Sequence, residues 1–382
     1  MRAATASPRR SGRGAWDRSL PWPRSPPGTG SAAIFTPARR ARRPALARPL
    51  LEVSDLRKQY QARAGILAAL HGRTRSVPAV DGVSFALAEH ETLGLVGESG
   101  CGKTTIGRII LGVTRASSGR VVFDGHDITA LPTRALRPLR KHMQMIFQDL
   151  DAALNPKMRV RDILREAIRL HHRLDDAEVA RRTSELLDQV NLKAGKLASF
   201  PHELSGGEKR RVGIARVLAV GARFIVADEP TSALDVSIQA QIVNLLHDLQ
   251  TRLGLSYLFI SHDLEVVELV SHRVAVMYLG RIVEIGPAER VARAARHPYT
   301  SILWSSLVEK RSQEVARAHA NGGAAWGVFD FERPGQGCRF APRCPVYEAA
   351  GRPAVCTDPA SEPTLSDAGA GHLVACHFPL AR

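Results

Sequence analysis

Residues 97–104 read Gly97-Glu98-Ser99-Gly100-Cys101-Gly102-Lys103-Thr104 and have the form G-x-x-x-x-G-K-[ST]. They follow the apolar run Thr92-Leu93-Gly94-Leu95-Val96 and precede a helical pattern from Thr105 to Leu111. A buried strand, a glycine-rich loop and a helix in that order constrain the chain to an α/β fold with a phosphate site at a strand end. The glycines let successive N–H groups turn inward toward phosphate oxygens. The helix behind adds the positive end of its dipole, Lys103 can reach the outer phosphates, and the Thr104 hydroxyl can hold Mg²⁺.

The chain of 382 residues has room for one large α/β domain and something smaller. Its net charge of +16 invites a nucleic-acid reading, so the position of the charge matters. Residues 1–50 hold 11 Arg, no Lys and one acid, Asp17, so most of the excess sits in that segment. Residues 1–49 are rich in Arg, Pro, Ser and Gly without hydrophobic periodicity, and are expected to be a disordered basic segment. The segment lacks the apolar core of a secretory signal, although its composition resembles an organellar transit peptide. An RNA- or lipid-binding arm, an inert tail, or a translation start further downstream are the other readings. No stretch approaches the roughly 20 apolar residues that span a bilayer.

Ordered structure is predicted from the strand Leu50–Val53, with a polar connection through His71, Gly72 and Arg73 to Pro78. A half-buried strand follows over Val80–Leu87, then the phosphate loop, then strands at Arg120–Gly125 and Met143–Phe147. From Val160 to Leu192 the spacing turns helical, which reads as an insertion between two parts of a parallel sheet. Ser205 is a candidate N-cap for a further helix. Phe224–Asp228 and Tyr257–Ile260 are continuous apolar runs with polar C-terminal ends, and a hairpin turns at Leu279-Gly280. In open parallel sheets ligands bind beyond the strand C-termini, so these endings are expected to converge on the phosphate loop.

Asp228 and Glu229 close one such strand. Adjacent carboxylates at a buried strand end are costly unless a positive charge lies beside them, and a Mg²⁺-nucleotide supplies it. Asp228 is then the Mg²⁺ ligand, directly or through water, and Glu229 the base that orients and deprotonates the attacking water. The plain alternative is a solvated strand end with nothing bound.

Leu204-Ser205-Gly206-Gly207-Glu208 resembles the signature of ABC-type ATPases. The other marks of that family follow in order over about residues 50–290: Tyr60 to stack on adenine, Gln148 in the Q-loop, Ser232-Ala233-Leu234-Asp235 in the D-loop and His262 as the switch histidine. The resemblance implies a mixed-sheet P-loop ATPase domain over 50–290, with a helical subdomain at about 149–215. It implies ATP held by Tyr60, Gly97, Ser99, Gly100, Cys101, Gly102, Lys103, Thr104 and Thr105. Ser205, Gly206, Gly207, Glu208 and Asp235 would face the nucleotide of a second ATPase subunit closing head to tail. Mg²⁺ would lie at Thr104, Gln148 and Asp228, and Glu229, His262 and Gln148 would serve hydrolysis.

Ala79–Phe85, Gly94–Lys103, Phe147-Gln148-Asp149 and Leu154-Asn155-Pro156 are similar to the ATP-binding subunits of bacterial dipeptide/oligopeptide importers. Gln144–Gln148 leans toward their second, F-type, subunit. Residues 291–382, with His297-Pro298-Tyr299-Thr300 and the cysteines beyond, resemble the same importers' C-terminal extension. This implies a homo- or heterodimer on the cytoplasmic face of the inner membrane, peripheral, with two transmembrane permease subunits. A solute-binding protein would serve it indirectly, and nucleic acid is not an expected partner. Nickel, glutathione or another peptide-like solute is an alternative cargo. A soluble ABC ATPase acting on ribosomes or nucleic acid is the alternative of a different class.

Three residues depart from the family pattern: Glu208 for the usual Gln, Leu150 for a common Pro, and His90 at a turn position often held by Gly. Glu208 puts a negative charge near the partner's nucleotide and is expected to weaken that site. The last four cysteines, Cys338, Cys344, Cys356 and Cys376, are spaced C-x5-C-x11-C-x19-C. In a reducing compartment they suggest a metal site, with Zn²⁺ or an iron–sulfur cluster both chemically possible. The resemblance favours [4Fe–4S], and unliganded thiols remain the plain reading.

Overall fold

The computed structural model describes residues 48–62, 75–171, 173–311 and 337–381. The basic segment expected over 1–49 falls almost wholly outside them. A four-stranded antiparallel sheet runs in the order β2-β1-β4-β5, from β1 (Leu51–Ala62), β2 (Arg75–Leu87), β4 (Ser118–Phe123) and β5 (His126–Asp127). The larger sheet takes in β3 (Thr92–Val96), β6 (Met143–Ile146), β7 (Phe224–Asp228), β8 (Ser256–Ile260), β9 (Arg273–Tyr278), β10 (Arg281–Pro287), β11 (Ser366–Asp367) and β12 (Leu373–Val374). Its order is β11-β12-β10-β9-β3-β8-β7-β6, parallel from β9 through β6 and antiparallel beyond β9.

The parallel strands are covered on both faces, which is why they are apolar without interruption. Phe224, Val226, Leu258 and Ile260 join the core on the side of the smaller sheet. Ile225, Ala227, Tyr257 and Phe259 join the core under the helices. The insertion contributes ten of the buried residues of that second core, from Val160 to Leu192. Helix Val160–His171 buries Val160, Ile163, Leu164, Ala167 and Ile168, one stripe at three-to-four spacing. Asp175 caps helix Asp176–Gln189 by accepting from the Glu178 N–H.

The segment read from sequence as a polar connection up to Pro78 begins instead as strand at Arg75. Pro78 pairs with Gln59 beside a register shift on β2, the outermost strand of its sheet. An edge strand with a bulge tolerates the missing N–H. The expected turn at Leu279-Gly280 is present, with φ of 44° and 85°, as a tight hairpin requires. The hairpin does not end the sheet. β12 pairs with β10 through Glu284–Val374 and Ile285–Leu373, so residues from the far end of the chain extend it.

Candidate ATP site

The strand order places β3, β8, β7 and β6 side by side, so their C-terminal ends share one edge. Asp228 and Leu95 both stand beside Ile260 in register, and Ala227 beside Ile146. The phosphate loop, His262, the two acids and Gln148 thus leave the sheet together. This is the convergence expected from sequence.

The loop is held tightly. A Cβ on Gly97 (φ 150°) would lie 2.1 Å from the Met277 carbonyl oxygen. One on Gly102 (φ 108°) would lie 2.1 Å from that of Ala79. Both glycines are therefore demanded by close backbone approach. Ser99 and Gly100 are exposed at the loop tip, and Thr105 lies in the first turn of helix Lys103–Ile110. Lys103 is buried and donates to the carbonyls of Gly97 (2.7 Å) and Glu98 (2.9 Å), with the Cys101 sulfur at 3.8 Å. Burial, the largest influence, raises the Cys101 thiol pKa, so this cysteine acts as apolar filling.

Thr104 Oγ1 donates to Asp228 Oδ1 at 3.0 Å. Asp228 is 2% exposed, and burial pushes its carboxyl above the ordinary range; the Thr104 bond opposes the shift and Glu229 adds to it. A buried carboxylate beside a hydroxyl and a second acid fits a divalent cation, which would remove the cost of its charge. Glu229 sits at φ 50°, a left-handed position uncommon for a non-glycine residue. Its N–H donates to the Ile260 carbonyl at 2.9 Å and its carbonyl accepts from Ser232 Oγ at 2.9 Å. The strain is thereby fixed by its surroundings, and the carboxylate meets His262 Nδ1 at 2.7 Å.

The remaining expected residues lie in other settings. Gln148 is exposed beyond β6, and its carbonyl accepts from Arg210 at 3.3 Å. Arg210, which sequence reasoning passed over, also donates to the carbonyls of Phe147 (2.9 Å) and Ser232 (3.3 Å). It ties the Q-loop to the D-loop from the helix behind the signature. Tyr60 is 43% exposed with Lys58 Nζ 5.0 Å from its ring centroid. An open ring suits stacking on a flat base. Asp235 caps helix Val236–Leu253, accepting from the Ile238 N–H at 2.9 Å.

Ser205 is the N-cap of helix Gly206–Ala219, as its sequence predicts, and Glu208 completes a capping box. A Cβ on Gly207 would meet Ile238 Cγ2 at 2.7 Å, so the signature packs on the D-loop helix. The charge of Glu208 is not left bare. Its carboxylate accepts from the Ser205 N–H at 3.0 Å and pairs with Lys196 at 2.9 Å, and these contacts hold its pKa below the ordinary range. Lys196, a residue no motif marks, thus pairs with the charge from which a weakened site is expected. Lys196→Met should expose the charge and slow ATP turnover of the assembled transporter by about twofold to tenfold. Combining it with Glu208→Gln should restore the rate, and an unchanged rate in the single variant would disprove the compensation.

His90, at φ 60°, accepts the strain of its turn, and its Nδ1 lies 2.7 Å from the Gly254 carbonyl. The four C-terminal cysteines line one small, largely apolar cavity with His297, Phe340 and Phe378. Burial is the main reason that the thiols of Cys338, Cys356 and Cys376 are raised, the last to about 12. Among the described residues no group of three or more His, Cys, Asp or Glu side chains is arranged to hold a metal ion. No helix among them is long and apolar enough to cross a membrane.

Comparison with known proteins agrees with this geometry. Residues 80–232 match the ABC transporter family, and residues 283–350 the oligopeptide/dipeptide transporter C-terminal region. The oligopeptide transport ATP-binding protein AppF of Bacillus subtilis is 41% identical over 86% of this chain and 97% of its own length. A peptide import ATP-binding protein of Brucella ovis is 43% identical over 86% and 97%. The dimeric ATP-binding cassette MJ0796, in a post-hydrolysis state with ADP and Pi, superimposes with a TM-score of 0.55 at 25% identity, over 62% of this chain and 98% of that one.

Proposed function

Because this chain belongs to the ATP-binding subunits of the oligopeptide/dipeptide ABC transporters, we propose that it hydrolyses ATP to drive uptake of di- and oligopeptides through partner permeases. The observation that carries the reading is the joining of buried Asp228 to Thr104, directly behind the phosphate loop and next to the Glu229–His262 pair. Lys103 and the loop amides would hold the phosphates, while Thr104 and Asp228 would hold the Mg²⁺ that accompanies ATP, with Gln148 nearby. Bound there, the ion offsets phosphate charge. Glu229 would take the proton of the attacking water, and the contact with His262 sets the direction of its carboxylate.

Ser205, Gly206 and Gly207 form an exposed-to-buried helix start in a separate part of the chain, suited to a γ-phosphate presented by a second subunit. Each ATP would then lie between the loop of one chain and the signature of the other. Attachment would be peripheral, at the cytoplasmic face of the membrane. Purified monomer should bind ATP and turn it over slowly, with the rate rising on assembly with the second ATPase subunit and the permeases. Brisk hydrolysis by a chain shown to be monomeric would overturn the composite site.

The cysteine cavity is where an iron–sulfur cluster would bind. The Tyr347 N–H donates to the Cys344 sulfur at 3.4 Å, whereas burial holds the thiols of Cys338, Cys356 and Cys376 toward their neutral form. The side chains as placed form no metal-binding group, and no step of the reaction is assigned to a cluster.

A further inference from the structure

Two residues of the C-terminal extension, Arg343 and Tyr299, hold Glu98 of the phosphate loop from two directions. Arg343 Nη2 and Nη1 donate to the two Glu98 carboxylate oxygens at 2.9 and 3.2 Å, a bidentate pair. Tyr299 Oη accepts the Glu98 backbone N–H at 3.1 Å. The Glu98 carbonyl in turn accepts from Lys103 Nζ at 2.9 Å. One residue of the loop thus joins the extension to the lysine expected to meet the outer phosphates.

The two clamping residues are themselves firmly seated. Tyr299 is 1% exposed, and its ring centroid lies 4.6 Å from that of Tyr278 and 5.4 Å from that of Phe340. Phe340, also 1% exposed, stands edge-on to Tyr278 at 5.3 Å. Arg343 follows Phe340 by one turn, and its guanidinium carbon lies 5.8 Å from the Tyr278 ring centroid. A neighbouring residue, Arg339, donates to the Leu279 carbonyl in the β9–β10 turn and pairs with Asp81. Gly280 of that turn donates its N–H to the Cys101 carbonyl of the loop at 3.0 Å. The extension therefore supports the loop both directly and through the hairpin behind it.

Two physical consequences follow. A free Glu98 carboxylate would stand at the rim of an anion-binding loop and repel ATP, and Arg343 neutralises it. A fixed Glu98 carbonyl also sets where Lys103 rests before phosphate arrives. We propose that Arg343 and Tyr299 are positioning residues of the ATP site: they hold Glu98, and through it the first turn of the phosphate loop and Lys103, so that the C-terminal extension sets nucleotide affinity. The inference rests on the ATP site described above.

The test uses the assembled transporter, with KM and kcat for ATP and direct binding of a fluorescent ATP analogue. Arg343→Gln should raise KM and weaken analogue binding about fivefold while kcat stays within about twofold, because the interaction acts on the ground state. Arg343→Lys should recover most of the affinity. Adding Glu98→Gln to Arg343→Gln should bring KM back toward the wild type, since the uncompensated charge is then gone. Tyr299→Phe should raise KM about twofold to threefold. A KM unchanged in Arg343→Gln would overturn the proposal. So would a loss of kcat that tracks a lower melting temperature and is rescued neither by Arg343→Lys nor by the double change. Lys103→Ala in the same binding assay separates the two levels: lost binding there beside no effect at Arg343 defeats the clamp alone, whereas intact binding there defeats the ATP site beneath it.

Discussion

Glu229→Gln should reduce ATP hydrolysis by about a thousandfold while ATP binding remains, because a positioned general base contributes roughly 10²–10⁴. The amide keeps the size of the carboxylate and can still meet His262, which now stands 2.7 Å away. The backbone should not move, since the left-handed conformation at residue 229 is held by the Ile260 carbonyl and Ser232. What disappears is the capacity to accept a proton. With hydrolysis blocked, a composite site predicts that ATP traps the closed pair of subunits. Single-turnover hydrolysis together with size-exclusion chromatography in ATP would check both statements. A variant that hydrolyses within tenfold of the wild type would place the base elsewhere. Asp228 is the poorer candidate, because its carboxylate is buried against Thr104 and shaped for a cation.

Glu284→Ala should be strongly destabilising although it lies outside the ATP site. Glu284 lies on β10 with no solvent exposure, and its carboxylate accepts from His372 Nε2 at 2.6 Å and from the N–H groups of Arg296 and His297 at 2.7 and 2.9 Å. Alanine would leave two buried donors, on His297 and His372, and the partly buried Arg296 N–H without their acceptor, which costs on the order of 3–5 kcal/mol. The thermal midpoint should fall by about 5–8 °C for a folded unit of this size. Because His372 lies next to β12, the loss falls on the seam between the extension and β10. Protease cleavage should therefore release or degrade the residues beyond 337 before the rest of the chain. Glu284→Gln keeps one acceptor oxygen and should lose less. A midpoint shift below about 2 °C for alanine would show that the seam does not depend on this carboxylate.

Glu284 shows where sequence reading stops. In Ile282-Val283-Glu284-Ile285 an acid breaks an apolar run, as on a strand with one wet face. Nothing local reveals that residues 296, 297 and 372 will cover that face. Lys196 and Arg210 were missed for the same reason. Each is an ordinary basic residue in a helical or turn segment, and only the partners at Glu208, Phe147 and Ser232 give it a role. Pro78 misled in the other direction. Its chemistry argues against a strand, yet an outermost strand with a register shift accommodates it.

The phosphate loop, the paired acids and the signature helix were legible because each is a local motif whose meaning lies in consecutive residues. Gly97 and Gly102 announce tight backbone approach, Asp228 and Glu229 announce a charged strand end, and Ser205 with Glu208 announces a helix start. The apolar runs of β3, β7 and β8 likewise declare strands covered on both faces. Tertiary structure alone decided which ends meet. Strand order brought Thr104 to Asp228 across 124 residues of chain, and packing brought Arg343 to Glu98 across 245. Local sequence governs backbone conformation and which face is apolar. Contacts between distant side chains depend on how the covered faces stack, and that is a property of the assembled core.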